Sequence, residues 1–124
     1  MRSGIYIVQL KNEIPMPVTR DPRYIETCAQ VNHSNLKIGK ARDFAARRAN
    51  YWKDFDEDNV IFEPLAEIDD IVFAEKVVLR ALDPFRMTSP KGGKLEWLEG
   101  ISYEDAKKIA LESLARNQVQ FRSP

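Results

Sequence analysis

Two short stretches decide the fold that this sequence predicts: Gly4-Ile5-Tyr6-Ile7-Val8-Gln9-Leu10 and Leu36-Lys37-Ile38-Gly39. Both contain β-branched or aromatic residues that favour extended strands, and the second stretch ends at a glycine. Because side chains alternate across a strand, Tyr6 should lie on the face opposite Ile5 and Ile7. We therefore expect two strands, the first of which carries a phenol on one face of the sheet.

Three helices and a third strand are predicted along the rest of the chain. Residues that can cap a helix N-terminus precede each helical segment, and a proline in the third strand indicates an edge position or a bulge. The predicted fold class is α+β, with a small, mainly antiparallel three-stranded sheet flanked by helices. The predicted elements are a helix capped by Asp43 and ending near Lys53, a strand over 60–65 that contains Pro64, a helix capped by Asp69 or Asp70 and ending near Leu82, and a helix from Ser102-x-x-Asp105 to about Leu114.

The length of 124 residues fits one domain, and we expect a single domain over 1–124. The proline-rich stretch at about 11–35 predicts a long insertion of irregular chain between the first two strands. Residues 87–94 predict a loop, and the tail at about 118–124 is expected to fray. Loops on a rigid scaffold commonly carry recognition, so the insertion and the 87–94 loop are candidate contact elements.

The charge is unevenly distributed although the net charge is zero. Residues 1–53 hold ten Lys and Arg against four Asp and Glu, a balance of +6, and residues 54–124 hold nine against fifteen, a balance of −6. The positive charge is concentrated between residues 37 and 53. Such a patch can bind phosphate, although it also fits a solvated helix face. The candidate nucleic-acid-binding residues in it are Lys40, Arg42 and Arg48.

Composition argues against several other classes of protein. The apolar runs are short and interrupted by charges, so no membrane span is expected, and the absence of an apolar leader predicts a cytoplasmic protein. Cys28 is the one cysteine and cannot form an internal disulfide. His33 is the one histidine, which argues against a zinc site and against a cysteine–histidine catalytic pair in this loop.

Glu75 is the most informative single position. On a helical wheel it projects from an apolar arc that includes Ile71, Ala74 and Val78. A carboxylate there must be paired, protonated or bound to a cation, because burying it alone is costly. Two readings stay open: a salt bridge to an arginine such as Arg47, or a ligand for a divalent ion such as Mg²⁺.

Tyr6 also allows two interpretations. It covers a sheet edge, or it transfers a proton in catalysis. The ordinary pKa of a phenol is about 10, so catalysis near neutral pH would need a positive charge close by. Lys37 and Lys40, on and just after the second strand, could supply that charge.

Together these pieces resemble the GIY-YIG endonuclease superfamily, in a phage- and bacterium-associated branch with lysine at the start of the second motif. Gly4-Ile5-Tyr6 and Lys37-Ile38-Gly39 are similar to its paired motifs, and Glu96-Trp97-Leu98 is similar to its Glu-Trp-Phe end. The segment 39–48 is similar to its strand-to-helix segment, which carries an essential arginine eight residues past the glycine. The resemblance covers residues 4–98, excluding the loop.

The resemblance implies a metal-dependent nuclease that hydrolyses phosphodiester bonds, with nicking of DNA expected over double-strand breaks. DNA is expected over RNA as the partner, and a homodimer or a delivering protein partner is compatible with this size. The implied catalytic residues are Glu75, Arg47, Tyr6 and Lys37. Glu75 would hold one Mg²⁺ or Mn²⁺ ion, and Arg47 would bind the non-bridging oxygens of the phosphate. Tyr6 would accept a proton from the attacking water, and Lys37 would lower the pKa of that phenol.

Two alternatives remain. The first is a catalytically weak or inactive nucleic-acid-binding or protein-interaction module on the same fold, which is favoured by the long gap between the motifs and by the missing tyrosine of the second motif. The second is a small α+β regulatory protein in which Glu75 and Arg47 form a buried structural pair, which is favoured by the neutral net charge.

Overall fold

Three helices pack on a five-stranded antiparallel sheet in the computed structural model, which describes residues 2–124. A separate two-stranded sheet lies in the insertion. In chain order the elements are β1 (Gly4–Leu10), β2 (Met16–Pro17), β3 (Gln30–Val31), β4 (Leu36–Ala41), α1 (Phe44–Phe55), β5 (Val60–Glu67), α2 (Ile71–Ala81), β6 (Arg86–Thr88), β7 (Lys94–Leu98) and α3 (Tyr103–Arg116). The main sheet has the order β5-β1-β4-β7-β6, so β1 and β4 occupy its centre.

The α+β class is confirmed, but the predicted sheet of three strands is too small. The two additional strands, β6 and β7, form an antiparallel hairpin across part of the predicted 87–94 loop. This hairpin joins the sheet where Leu36 pairs with Leu98 and Lys37 pairs with Trp97. β6 has only three residues, too few for a recognisable alternation, and its pairing is decided by contact with the rest of the sheet.

The alternation predicted for β1 divides the interior into two layers. Ile5 and Ile7 face an aliphatic layer that packs against α2 and α3. Tyr6 and Val8 face an aromatic layer that packs against α1 and contains Trp97 of β7. The sheet is therefore covered on both faces, and its two faces differ in chemistry.

Each helix begins at the capping residue that the sequence indicated. The Asp43 side chain accepts a hydrogen bond from the Ala45 amide at 3.1 Å, and Asp70 accepts one from the Phe73 amide at 3.2 Å. Ser102 caps α3 in the same way. The predicted helices are confirmed, and each satisfies part of its N-terminal amides locally.

Both features expected at Pro64 are present. β5 is an edge strand, and its pairing with β1 contains a bulge between Ile5 and Tyr6, opposite Pro64. On the same strand pair, a Cβ at Gly4 would lie 1.8 Å from the Ala66 carbonyl oxygen. A glycine is needed there because the two backbones approach too closely for any side chain.

The insertion and the tail both pack on the rest of the molecule. β2 pairs with β3, and the Arg20 Nε donates to the Asp54 carbonyl oxygen at 2.6 Å, which fixes the insertion near the end of α1. In the tail, for which fraying is predicted, Arg122 and Glu67 exchange two backbone hydrogen bonds, of 2.8 and 3.1 Å. Phe121 packs against the aliphatic layer, so the tail covers β5.

Candidate functional site

The candidate site lies where β4 extends past the two residues that pair with β7. β7 pairs with Leu36 and Lys37, whereas residues 38–41 pair with β1 alone within the described chain, 2–124. α1 begins three residues after β4 on the aromatic side, and α2 packs on the aliphatic side. Because no strand covers this part of the edge, side chains from both layers reach one groove.

The groove has a volume of about 300 Å³ and a basic rim. Arg47 is exposed and forms no ion pair within residues 2–124. Arg42 is likewise exposed, and the Lys40 side chain retains 37% of its accessible surface. The residues that line the groove are Lys40, Arg42, Asp43, Ala46, Arg47, Asn50, Ile71 and Val72. The arrangement presents three cations to a ligand that enters between α1 and α2.

Glu75 is paired with a lysine and not with the expected arginine. Its Oε1 accepts a hydrogen bond from Lys40 Nζ at 2.8 Å, and its side chain is 12% exposed. The predicted alternative of a Glu75–Arg47 pair is therefore wrong. β4 and α2 are neighbours, so the lysine that follows Gly39 is closer to Glu75 than the helix α1 is.

The Glu75 carboxylate has one oxygen that could bind a divalent cation. Its second oxygen accepts no hydrogen bond from residues 2–124 and is not sealed from water. No group of three or more His, Cys, Asp or Glu side chains among the described residues could hold a metal. Mg²⁺ often takes only one or two protein carboxylates and keeps several waters, so Glu75 would supply the single protein ligand.

Tyr6 lies across Gly39 and meets a second phenol, that of Tyr51 on α1. The two hydroxyl oxygens are 2.7 Å apart in a buried hydrogen bond. Tyr6 pairs with Gly39 across the strands, and a Cβ at that glycine would lie 2.2 Å from the Tyr6 Oη. The glycine of the second motif is thus required by the tyrosine of the first, and the phenol pair fixes α1 on the sheet.

The Tyr6 pKa moves in the direction opposite to the one expected. Burial raises the pKa of this phenol above its ordinary value. The hydrogen bond with Tyr51 and the charge of Arg47 lower it, but they do not outweigh burial. Burial also raises the pKa of Tyr51, and the neighbouring Tyr6 adds to that effect. Both phenols are therefore protonated at neutral pH.

Lys37, which was predicted to lower the pKa of Tyr6, is paired with Glu96. The Lys37 Nζ donates to Glu96 Oε2 at 2.6 Å, and the Lys37 side chain is only 15% exposed. Burial would raise the pKa of Glu96, but the hydrogen bond and charge of Lys37 outweigh it, so the pKa lies below its usual value. The positive charge that lowers the Tyr6 pKa comes from Arg47 instead.

The structure thus brings together most, but not all, of the predicted site residues. Lys40 and Arg47 line the groove, Glu75 is bonded to Lys40, and the charges of Arg47 and Glu75 reach Tyr6. Arg48 is separated from them: its guanidinium lies 4.8 Å from the Trp52 ring centroid, and it lines a different cleft with Arg2, Phe62 and Pro64. Of the predicted phosphate contacts, Lys40 and Arg42 share the groove and Arg48 does not.

Sequence reasoning did not assign two groups of this site. Tyr51 is buried against Tyr6, and Glu96 neutralises Lys37. Tyr51 was detectable from its place on the same helix row as Phe44 and Phe55, which predicts burial but not a phenol partner. Glu96 became a site residue only because β7 joins the sheet beside β4.

The fold and the groove define a class: small α+β domains with a basic groove at an uncovered strand edge. The family model of the T5orf172 domain matches residues 22–113, which is most of the chain, and the chain belongs to that family. No curated protein and no solved structure matches this chain. The T5orf172 family is associated with nucleic acids, which agrees with the nucleic-acid partner that the motif resemblance implied.

This match corrects the family expected from the motifs. The chain matches the T5orf172 model and no GIY-YIG model, so the assignment to the GIY-YIG endonucleases is wrong. Three-residue motifs recur by chance, and here the second motif lacks its tyrosine and follows the first after an unusually long gap. Glycines at positions 4 and 39 are also explained by close contacts within the sheet.

Among residues 2–124, no helix has both the length and the apolar character needed to cross a bilayer.

Proposed function

We propose that this protein hydrolyses phosphodiester bonds in nucleic acid, with DNA as its substrate, and that it cuts one strand per encounter. The observation that carries the proposal is the groove in which Lys40, Arg42 and Arg47 lie beside the Glu75 carboxylate. In the reaction, water adds to phosphorus and one P–O ester bond breaks, which leaves a phosphate monoester and a free hydroxyl group.

The cations of the groove would bind the phosphate. Arg47 is exposed and free of ion pairs within the described residues, so its guanidinium is available for two non-bridging oxygens. Arg42 lies on the same rim and adds a second contact. Charge that builds up on these oxygens in the transition state is stabilised most by donors that are already in place.

Glu75 is the residue proposed to hold one Mg²⁺ or Mn²⁺ ion, through the oxygen that Lys40 does not occupy. Such an ion, when bound, would lower the pKa of a bound water and stabilise the leaving oxygen. Lys40, which lines the groove, holds the carboxylate next to it through a 2.8 Å hydrogen bond. Its second role would be a direct contact with phosphate.

Tyr6 is better suited to positioning than to proton transfer. A general base should have a pKa near the working pH, and burial raises the Tyr6 pKa away from neutrality. Its hydrogen bond to Tyr51 instead ties β1 to α1, the helix that carries Arg47. Tyr6 and Tyr51 would therefore hold the guanidinium at the groove without contacting the substrate.

A second candidate function is a nucleic-acid-binding module without turnover. It is favoured by the pairing of both nearby carboxylates, Glu75 and Glu96, with lysines, and by the burial of the Tyr6 phenol. In this case the basic groove binds the phosphate backbone and no bond is broken. The two functions differ in the role of Glu75: it holds a metal ion for hydrolysis in the first, and it only balances the charge of Lys40 in the second.

A plasmid-nicking assay tests the proposal. Supercoiled plasmid is incubated with wild type, Arg47→Ala and Glu75→Gln in Mg²⁺ or Mn²⁺, and relaxed circles are measured over time. Removing a preorganised donor to the transition state costs roughly 10²-fold or more, so Arg47→Ala should nick at least that much more slowly. Glu75→Gln, which keeps a hydrogen-bond acceptor for Lys40, should fall to background.

Two matched variants serve as controls. Arg116→Ala removes an arginine at the end of α3, and Glu99→Gln neutralises an exposed carboxylate; both should nick like wild type. If wild type nicks with neither metal but retards DNA in a salt-sensitive way, hydrolysis is refuted and the binding module is supported. If wild type shows neither activity, both functions are refuted.

A further inference from the structure

The two segments named as candidate contact elements meet at one place on the surface. Tyr24 lies in the insertion, on a turn in which the Cys28 amide donates to the Tyr24 carbonyl oxygen at 2.9 Å. Lys91 lies at the tip of the β6–β7 hairpin, and its Nζ is 5.9 Å from the centroid of the Tyr24 ring. The insertion and the hairpin tip, far apart in sequence, therefore form a single surface.

Tyr24 is an exposed aromatic residue with two cations beside it. Its relative accessibility is 46%, which is unusual for a ring of this size in a chain that buries its other tyrosines in whole or in part. The Arg23 guanidinium carbon lies 5.2 Å from the ring centroid, although Asp21 partly neutralises that arginine. Lys91 forms no ion pair within residues 2–124, so its charge is available to a ligand.

The hairpin tip that presents Lys91 is held by its own hydrogen bonds. The Ser89 hydroxyl accepts from the amides of Lys91 and Gly93, both at 3.2 Å, and Gly92 adopts a φ of +96° that favours glycine. The turn therefore has a defined shape, and Lys91 is directed toward Tyr24.

A small cleft opens between these two segments. Its volume is about 160 Å³, well below the ~300–1,000 Å³ of pockets for drug-sized ligands, so it suits a fragment such as one base. Ala29 and Leu95 give it apolar walls, and its lining is almost entirely apolar. An apolar slot with an aromatic wall and an ammonium beside it matches the chemistry of a nucleotide, which has a flat base and an anionic phosphate.

We propose that the cleft formed by Tyr24, Leu95 and Lys91 is a subsite for one unpaired nucleotide of the nucleic acid that the groove binds. Tyr24 stacks on the base, and Lys91 contacts the adjoining phosphate. The proposal rests on the proposed function for the identity of the ligand. It adds a preference for single-stranded or locally opened substrate, because a paired and stacked base has no face to offer.

Strand β7 carries residues of both the cleft and the main site. Leu95, in its wall, precedes Glu96, whose carboxylate accepts the Lys37 hydrogen bond at 2.6 Å. β7 therefore links the subsite to β4, which carries Lys37 and Lys40.

Fluorescence anisotropy of the full chain, without divalent cation, tests the subsite. The probes are a short labelled single-stranded oligonucleotide and the blunt duplex of the same sequence. Tyr24→Ala should weaken single-strand binding by roughly tenfold, within the range measured for base–aromatic stacking, whereas Tyr24→Phe should bind like wild type. Lys91→Ala should weaken binding several-fold and reduce the slope of log Kd against log salt by about one.

Ile25→Ala is the matched control, because Ile25 is an exposed apolar neighbour of Tyr24 that does not line the cleft. It should bind both probes like wild type. Equal weakening of single strand and duplex by Tyr24→Ala, or no weakening of either, overturns the subsite. Failure of wild type to bind the single strand overturns it as well.

The plasmid assay distinguishes failure of the subsite from failure of the proposed function. A protein that nicks plasmid while Tyr24→Ala binds the single strand normally keeps the function and loses the subsite. A protein that fails to nick but binds single strands through Tyr24 keeps the subsite and loses hydrolysis.

Discussion

The same strands form both faces of the central sheet, but the two faces differ in the contacts that hold their helices. The aliphatic face, with Ile5, Ile7 and Ile38, is closed by α2 and α3 and contains no hydroxyl groups from these strands. The aromatic face carries Tyr6, whose phenol is bonded to Tyr51 of α1. Apolar packing alone satisfies the first face, whereas the second needs a hydrogen bond in a defined geometry.

This difference explains where the groove forms. α1 is held on the aromatic face by the phenol pair, and that helix carries Arg47 to the uncovered edge of β4. α2 is held on the aliphatic face and carries Glu75 to the same edge, where Lys40 meets it. Because a hydrogen bond of defined geometry holds α1 whereas apolar contacts hold α2, a change in the aromatic face should alter both stability and the groove, and a change in the aliphatic face should alter mainly stability.

The largest expected effect on stability comes from the aliphatic face. Ile38 is fully buried at the centre of the sheet, and Ile38→Ala should lower the free energy of unfolding by about 2–5 kcal/mol. Urea unfolding followed by circular dichroism measures this loss. Oligonucleotide binding by the protein that remains folded should be unchanged, and a loss of affinity in the folded state would contradict the proposed division between the faces.

A smaller loss, with a second consequence, is expected on the aromatic face. Gly39→Ala places a methyl group against the Tyr6 phenol, and such overpacking costs typically about 1–3 kcal/mol. Because Tyr6 positions α1, oligonucleotide affinity should fall together with stability. A double-mutant cycle with Tyr6→Leu checks the cause: the two changes should be less destabilising together than their sum predicts, and strict additivity would exclude a clash with Tyr6.

The smallest effect is a dependence of stability on alkaline pH. The pKa values of Tyr6 and Tyr51 are raised in the folded protein, mainly by burial, whereas in the unfolded chain they titrate near 10. Above about pH 10 the unfolded state therefore binds fewer protons than the folded state, and stability falls as pH rises. This contribution is complete below pH 10 and disappears as the folded phenols ionise.

Urea unfolding between pH 8 and pH 11 tests the sign of this dependence. Tyr51→Phe removes one of the two phenols and should make the decline above about pH 10 shallower. Between pH 8 and pH 9 the variant should differ from wild type by a constant amount, of about 1 kcal/mol or more, because the Tyr6 hydroxyl loses its buried partner. A slope equal to that of wild type would show that Tyr51 does not ionise in this range upon unfolding.

Local signals in the sequence predict those features of the fold that depend only on residues a few positions apart in the chain. The sequence predicts caps at Asp43, at Asp69 or Asp70 and at Ser102, and the structure confirms Asp43, Asp70 and Ser102, because a capping side chain acts within three residues of its own position. Pro64 predicts an edge position or a bulge, because proline has no amide to donate to a neighbouring strand, and it lies in an edge strand beside a bulge. The family could not be assigned from three-residue motifs, and the match over residues 22–113 decided it.

The sequence by itself determined the α+β class, the helix starts and the alternation that divides Tyr6 from Ile5 and Ile7. Only the tertiary structure decided that β7 pairs with just two residues of β4, that Glu75 bonds to Lys40, and that Tyr6 meets Tyr51. The physical reason is the separation of the interacting residues along the chain. Capping and alternation act between residues a few positions apart, whereas these pairings join residues 35 or more positions apart. Such contacts depend on how every layer packs, and no local pattern contains that information.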